Sequence, residues 1–277
     1  MLYYYAHSGH KFGLERVRRG VAILKNLRSK GFEVQLLVND FRAGLSAKDW
    51  GGEEYVTIET IQDIDAIAMV GDSIIIDSPE DDHGRLVKYC SDFTNVWRFS
   101  ESQEDKTIYN EKMITRDNIV IDEDIYTNEL VKENRVLYFL GDSDYNKMIL
   151  NNADFFKEFN MDLLLGSYFF VKYESDLEKI FDTLYEAEDY VDTLKSVKTV
   201  VTSSSQCAFE SKSCGARVIY LDIDKNSVYD KSILEDYGIS VIDGFDSNSL
   251  KEAINNCDTS SVKKLNIYNI EDISSFL

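Results

Sequence analysis

Apolar and polar positions follow one another along this chain in the two rhythms that distinguish strand from helix. The short runs Tyr3–Ala6, Val34–Val38, Tyr55–Ile58, Ser73–Asp77 and Asn95–Phe99 are apolar almost throughout, as strands buried on both faces are. After the first run, Leu14, Val17, Val21, Leu24 and Leu27 recur at three- and four-residue spacing. That spacing is one face of a helix, and Gly31 stands where a terminating glycine belongs. A helix running to about Val70, backed by Gly71, and another near Asp82–Ser91 fill the later gaps. Alternation of this kind predicts a parallel sheet with helices on both faces.

Residues 100–134 break the rhythm. They are polar, with a strand expected at Asn118–Asp122 and a helix at Glu123–Glu133. The pattern restarts with strands at Val136–Leu140, Asp162–Leu165, Thr199–Thr202, Val218–Asp222 and Ile239–Ile242. Helices are expected between them at Asn146–Phe159, Ser175–Tyr185, Glu188–Val197, Gln206–Cys214 and up to Tyr237, with two helical segments at the end. The expected fold class is α/β: two doubly wound, Rossmann-like domains facing a central cleft. The first covers residues 1–133 and the second 134–277. Ligands of such sheets sit outside the carboxyl ends of the strands. The turns after Ala6, Asp77, Leu140, Leu165 and Thr202 are therefore the places to look for chemistry.

The 277 residues, 44% hydrophobic and 29% charged, are ample for two cores and exclude bulk disorder. No apolar run approaches ~18 residues, so no membrane-spanning segment is expected. Met1–Tyr5 lacks the basic start and long apolar stretch of a signal peptide and reads as a strand. The four cysteines form no C-x-x-C pair. Reduced thiols in the cytoplasm are the expectation.

Charge is unevenly divided. The formal net charge of -20 argues against nucleic acid as a partner, because phosphate neutralisation requires basic surface. Residues 1–48 nevertheless carry nine Lys or Arg against three Asp or Glu. Lys11, Arg16, Arg18 and Arg19 lie close together there, either as a solvated helix face or as a pocket for a small anion. His7 and His10 share the turn after the first strand, and either suits general base catalysis near neutral pH. Their spacing alone does not make a metal site, since no third ligand follows at a recognisable distance, and none is expected. Asp77 ends an apolar strand and must there be hydrogen-bonded or perform chemistry. Ser203, Ser204 and Ser205 precede a helix and are placed to donate to phosphate oxygens, more donors than one helix cap needs.

Several of these segments resemble a known family. The run Phe12-Gly13-Leu14-Glu15-Arg16-Val17-Arg18-Arg19 is similar to a Gly-x-Gly-His-x-x-Arg element. That element belongs to the nucleotide-sugar hydrolases of pseudaminic acid synthesis and the related spore-coat polysaccharide proteins. These are relatives of the glycosyltransferases with the GT-B fold. Ile74-Ile75-Ile76-Asp77-Ser78 resembles the family's strand end, and Leu140-Gly141-Asp142-Ser143-Asp144 its turn opening the second domain. Thr202–Glu210, with Gly215 beyond, resembles its serine-rich loop and nucleotide-binding helix. The resemblance implies a nucleotide diphosphate sugar, UDP-linked, as substrate, and no further cofactor. It implies contacts from Gly13, Arg16, Arg19, Gly141, Ser143, Asp144, Ser203, Ser204, Ser205 and Gln206, with Glu210 accepting the ribose hydroxyls. The family's catalytic histidine falls on Arg16, which stays protonated and cannot activate water. His10, His7 and Asp77 are the catalytic candidates that remain. Three outcomes stay open: a glycosyltransferase-like enzyme, which the loss of that histidine favours; a nucleotide-sugar hydrolase; and a catalytically inactive accessory protein working with glycan-assembly partners. A dinucleotide oxidoreductase is disfavoured, because no strand is followed by Gly-x-Gly-x-x-Gly.

Overall fold

The computed structural model describes residues 1–126, 131–169, 174–223 and 227–255, together with residues 265, 268 and 273. Contacts divide the chain into two compact units, Met1–Val120 with Asn266–Leu277, and Ile121–Leu265. The division therefore falls at Val120/Ile121, ahead of the 133/134 junction read from the sequence.

The first unit is built on β1 (Leu2–Ala6), β2 (Val34–Val38), β3 (Tyr55–Thr57), β4 (Ser73–Asp77), β5 (Asn95–Phe99) and β6 (Lys112–Ile114). They form one parallel sheet in the order β3-β2-β1-β4-β5-β6. The chain winds outward from β1 in one direction and then crosses to β4 and winds outward in the other. The switch between β1 and β4 sets Ala6 opposite Asp77. The second unit repeats the plan with β7 (Glu133–Phe139), β8 (Asp162–Leu164), β9 (Leu184–Tyr185), β10 (Val197–Thr202), β11 (Arg217–Asp222) and β12 (Ser240–Asp243). Its order is β12-β11-β10-β7-β8-β9, again parallel, with the switch between β7 and β10. Both units are doubly wound α/β folds, as the strand–helix rhythm predicts.

The departures from that rhythm have local causes. A helix at Phe41–Asp49 was not visible as an apolar stripe, because its buried face is made of Ala43, Gly44 and Ala47. Small residues are needed there: a Cβ on Gly44 would lie 2.1 Å from the Tyr55 ring. The Asp40 carboxylate caps this helix by accepting from the Arg42 amide at 2.8 Å. Beyond β5 the edge position is taken by β6 rather than by Asn118–Asp122. The long helix expected over Asn146–Phe159 is two short ones, Met148–Asn151 and Ala153–Phe156. Leu184–Tyr185 pairs with β8 as a strand instead of closing a helix. The helix expected at Glu123–Glu133 is present over Glu123–Tyr126; residues 127–130 lie outside the described residues. Of the two final helical segments, Ser247–Asn255 is present, and the second falls in a stretch of which only 265, 268 and 273 are described. No described helix is long and apolar enough to cross a membrane.

Candidate functional site

At the carboxyl edge of the first sheet, the backbone runs on from β1 with the His7 amide donating to the Asp77 carbonyl at 3.0 Å. Asn39, just past β2, clamps the next residue. Its Oδ1 accepts from the Ser8 amide at 2.8 Å and hydroxyl at 3.0 Å, and its Nδ2 donates to the Ser8 carbonyl at 3.1 Å. The chain then turns back on itself, with the Gly13 amide donating to the Gly9 carbonyl at 2.8 Å. Both glycines take positive φ, +130° and +67°, which side chains rarely adopt. The helix Glu15–Ser29 starts immediately afterwards from Leu14, which supplies no side-chain cap.

Asp77 is the hub of a buried ion-pair network. Arg19 grips it with two hydrogen bonds, Nη2 to Oδ1 at 2.6 Å and Nε to Oδ2 at 3.1 Å. The Tyr4 hydroxyl adds a third at 2.6 Å to Oδ2. Arg16 lies with Nε 3.5 Å from Asp77 Oδ1 and donates through Nη2 to Glu101 at 2.6 Å. The Arg19 guanidinium also stacks 4.2 Å over the Phe99 ring. Complete burial is the largest influence on the Asp77 carboxyl and pushes it above its ordinary range, while Arg19, Arg16 and Tyr4 pull the other way. Two cations and two carboxylates thus balance one another in charge within the unit. Arg19, expected to reach a phosphate, is held on Asp77 and only 2% exposed; Arg16 keeps its Nη1 buried without a hydrogen bond. Asp77, expected to be catalytic, exposes no surface.

His7 has a different neighbour. Its Nδ1 is 3.2 Å from Glu80 Oε2, and its ring meets Phe12 edge-on at 4.7 Å. The same Glu80 oxygen accepts from the Tyr5 hydroxyl at 2.5 Å and the Ser78 hydroxyl at 2.9 Å. Burial pushes the Glu80 carboxyl up, but His7, Tyr5 and Ser78 outweigh it and hold the group below its ordinary range. The Glu80 carboxylate and the Phe12 ring flank the imidazole, with Nδ1 at ion-pair distance but without a hydrogen bond. His10 is half-buried nearby in sequence, and His83 is exposed with Nδ1 3.6 Å from Asp81. Sequence reasoning missed Glu80 and Glu101. The turn after Asp77 was a candidate by its position, but within Ser78-Pro79-Glu80-Asp81-Asp82 nothing marks one acid above the others.

In the second unit the turn after β7 rests on the turn after β8. The Tyr168 amide donates to the Asp142 carbonyl at 2.8 Å, and a Cβ on Gly166 would lie 2.3 Å from the Asp142 carbonyl carbon. Asp144 holds the next helix: Oδ1 accepts from the Met148 amide at 2.5 Å and Oδ2 from the Ile149 amide at 3.1 Å. The three serines after β10 have three roles. Ser204 caps the helix Ser205–Ser213 by accepting from the Cys207 amide at 3.1 Å, and Ser205 Oγ accepts from the Tyr229 amide at 3.3 Å. Ser203 Oγ is left buried with no hydrogen-bond partner. So are the hydroxyls of Tyr138 and Ser143 on the neighbouring strand and turn. Burial pushes the Tyr138 phenol up, with Ser203 opposing.

Glu210 lies further along the same helix. It is 2% exposed, with Oε1 accepting from Gln206 at 2.9 Å and Oε2 from the Tyr190 hydroxyl at 2.5 Å. Gln206 is equally buried, accepting from the Tyr229 hydroxyl at 2.9 Å. Both side chains tie the helix to its own unit. Among the described residues, no group of three or more His, Cys, Asp or Glu side chains is arranged to hold a metal ion.

No family model matches this sequence, and no curated protein matches it. Solved structures do resemble the fold. The UDP-GlcNAc 2-epimerase of Methanocaldococcus jannaschii matches over 99% of this chain and 98% of its own, with a TM-score of 0.57 and 10% identity. The same enzyme in complex with UDP-GlcNAc and UDP matches over 99% of both chains at a TM-score of 0.58. The enzyme of Neisseria meningitidis bound to UDP-GlcNAc covers 91% of this chain and 90% of its own, with a TM-score of 0.50 and 11% identity. The likeness shows the fold, two Rossmann-like units of the GT-B kind.

Proposed function

We propose that this chain is a nucleotide-sugar-dependent enzyme of surface-glycan or flagellin-glycan biosynthesis that cleaves the anomeric C–O bond of a nucleotide diphosphate sugar. The observation that carries this is the set of buried hydroxyls of Tyr138, Ser143 and Ser203 without partners, at the switch point of the second sheet. A buried polar group without a hydrogen bond costs about 1–3 kcal/mol; Tyr138 and Ser203 lie close enough to act on one another, which leaves at least one donor of the three for a ligand that accepts from it. The helix Ser205–Ser213 begins beside Ser203, and its positive end favours an anion there. A diphosphate satisfies both demands. The same groups would stabilise the charge that grows on the leaving nucleotide as the anomeric bond breaks.

His7, beside Glu80, is the group we assign to take the proton from the attacking hydroxyl, which makes the enzyme glycosyltransferase-like. If that hydroxyl is water, the same parts perform hydrolysis. Fold-mates solved with UDP-GlcNAc and UDP make a uridine nucleotide the first donor to try. The reading of an inactive accessory protein is favoured by one observation, the locking of Asp77 in its ion pairs.

Thermal unfolding with UDP, UDP-GlcNAc, ADP and GDP tests the proposal. A ligand at 100 times its dissociation constant stabilises by about 2.7 kcal/mol, a clear rise in the midpoint. Ser203→Ala should stabilise the free protein slightly, by removing an unsatisfied hydroxyl, yet reduce the nucleotide shift. No shift with any nucleotide, or an undiminished shift in Ser203→Ala, refutes the diphosphate site.

A further inference from the structure

A cavity of about 640 Å³ opens in the first unit beside the carboxyl ends of β4 and β5, within the size range of small-molecule sites. Ile61, Ile76 and Leu86 give it an apolar floor. Its wall includes Glu80, whose Oε2 accepts from Tyr5 and Ser78, with His7 Nδ1 3.2 Å away. Among the described residues nothing donates to Glu80 Oε1. The carboxylate is therefore held through one oxygen, and the other is left to accept from a ligand in the cavity that Glu80 lines.

The rest of the wall sets the sign of the ligand. Glu101 answers Arg16, and Asp105 is occupied by the amides of Glu101 and Ser102 and by Arg98 at 3.5 Å. Asp82 and Glu104 face no Lys or Arg within ion-pair distance among the described residues, and neither does Glu80. Lys106 is the one cation of the wall without a carboxylate partner there. Such a wall repels phosphate and carboxylate and attracts a donor-rich cation. The apolar floor beneath it suits the C–H face of a saturated ring.

We infer that this cavity binds an amine-bearing, hydroxyl-rich small molecule of the aminosugar class, with Glu80 Oε1 accepting a hydrogen bond from its ammonium or an adjacent hydroxyl. The site lies wholly within the first unit and needs no nucleotide. If the enzyme proposed above is correct, the bound amine is its acceptor.

Calorimetric titration of the full chain with D-glucosamine, D-glucose and D-glucose 6-phosphate tests the inference without any nucleotide, so its failure is separate from failure of the nucleotide site. Glucosamine should bind, glucose at least ten-fold more weakly, and the phosphate ester not measurably. Glu80→Gln keeps the side chain's size but removes its charge, and should weaken glucosamine at least ten-fold. Glu104→Gln, on the exposed rim, should weaken it about two- to three-fold without affecting folding, and carries the test if Glu80→Gln misfolds. Binding of glucose 6-phosphate as tight as that of glucosamine, unchanged binding in both variants, or no binding by any of the three sugars overturns it.

Discussion

Asp77→Ala is the most demanding perturbation of the first unit. It removes the partner of two Arg19 hydrogen bonds, at 2.6 and 3.1 Å, and of the Tyr4 bond at 2.6 Å. Arg19, 2% exposed, stays buried after losing the carboxylate that two of its hydrogen bonds reach. Breaking a buried pair from one side costs about 3–5 kcal/mol, a large part of the roughly 5–15 kcal/mol that holds a typical domain folded. The chain's two tryptophans, Trp50 and Trp97, both lie in the first unit, so their fluorescence reports its unfolding alone. With a urea slope of about 1.5 kcal/mol per molar, the midpoint should drop by about 2–3 M. Arg19→Met in the same background should recover part of the loss, because a neutral, well-packed side chain does not need Asp77. The coupling between the two sites should exceed about 1.5 kcal/mol. Additive effects to within about 0.5 kcal/mol would refute the network as the reason for the buried carboxylate.

Two further outcomes follow from local geometry. The folded Glu80 titrates below its ordinary range, so its contribution to stability is complete above the unfolded value and is lost as pH falls through the lower folded value. The tryptophan-reported urea midpoint should decline through that acidic window, and Glu80→Gln should flatten the decline; an identical profile in the variant rules the coupling out. Gly166→Ala must push the Asp142 backbone away, since the new Cβ would sit 2.3 Å from it. A cost of at least about 2 kcal/mol is expected, in the range of overpacking. It should appear as faster hydrogen exchange at the Met148 and Ile149 amides, which Asp144 holds; unchanged exchange there contradicts the tight stacking of the two turns.

What one sequence determines about this protein is what neighbours along the chain decide. Apolar runs of five residues make β1, β2 and β4, and the three- and four-residue spacing from Leu14 to Leu27 makes a helix, because side-chain period alone selects the face to be buried. Two doubly wound sheets follow from their order, and the order places the turns after Ala6, Asp77, Leu140 and Thr202 at the functional edge. Where a segment's partner lies elsewhere, the local signal fails. Leu184–Tyr185 is a strand because β8 offers it an open edge, and Phe41–Asp49 is a helix whose small buried face serves Tyr55.

The chemistry of the edge was decided by tertiary structure. Arg16 and Arg19 stand in a basic cluster that, in sequence, has no visible counter-charge. Folding brings Asp77 from 58 positions away and Glu101 from 85, and gives both arginines carboxylate partners. Glu80 is one acid among several until Tyr5, Ser78 and His7 converge on a single one of its oxygens. Ser203, Ser204 and Ser205 are indistinguishable as letters, yet one caps, one braces and one is left unsatisfied. Element type depends on short-range periodicity, which a sequence displays directly. Whether a polar group is paired or open depends on which distant atoms share its few ångströms, and only the folded chain settles that.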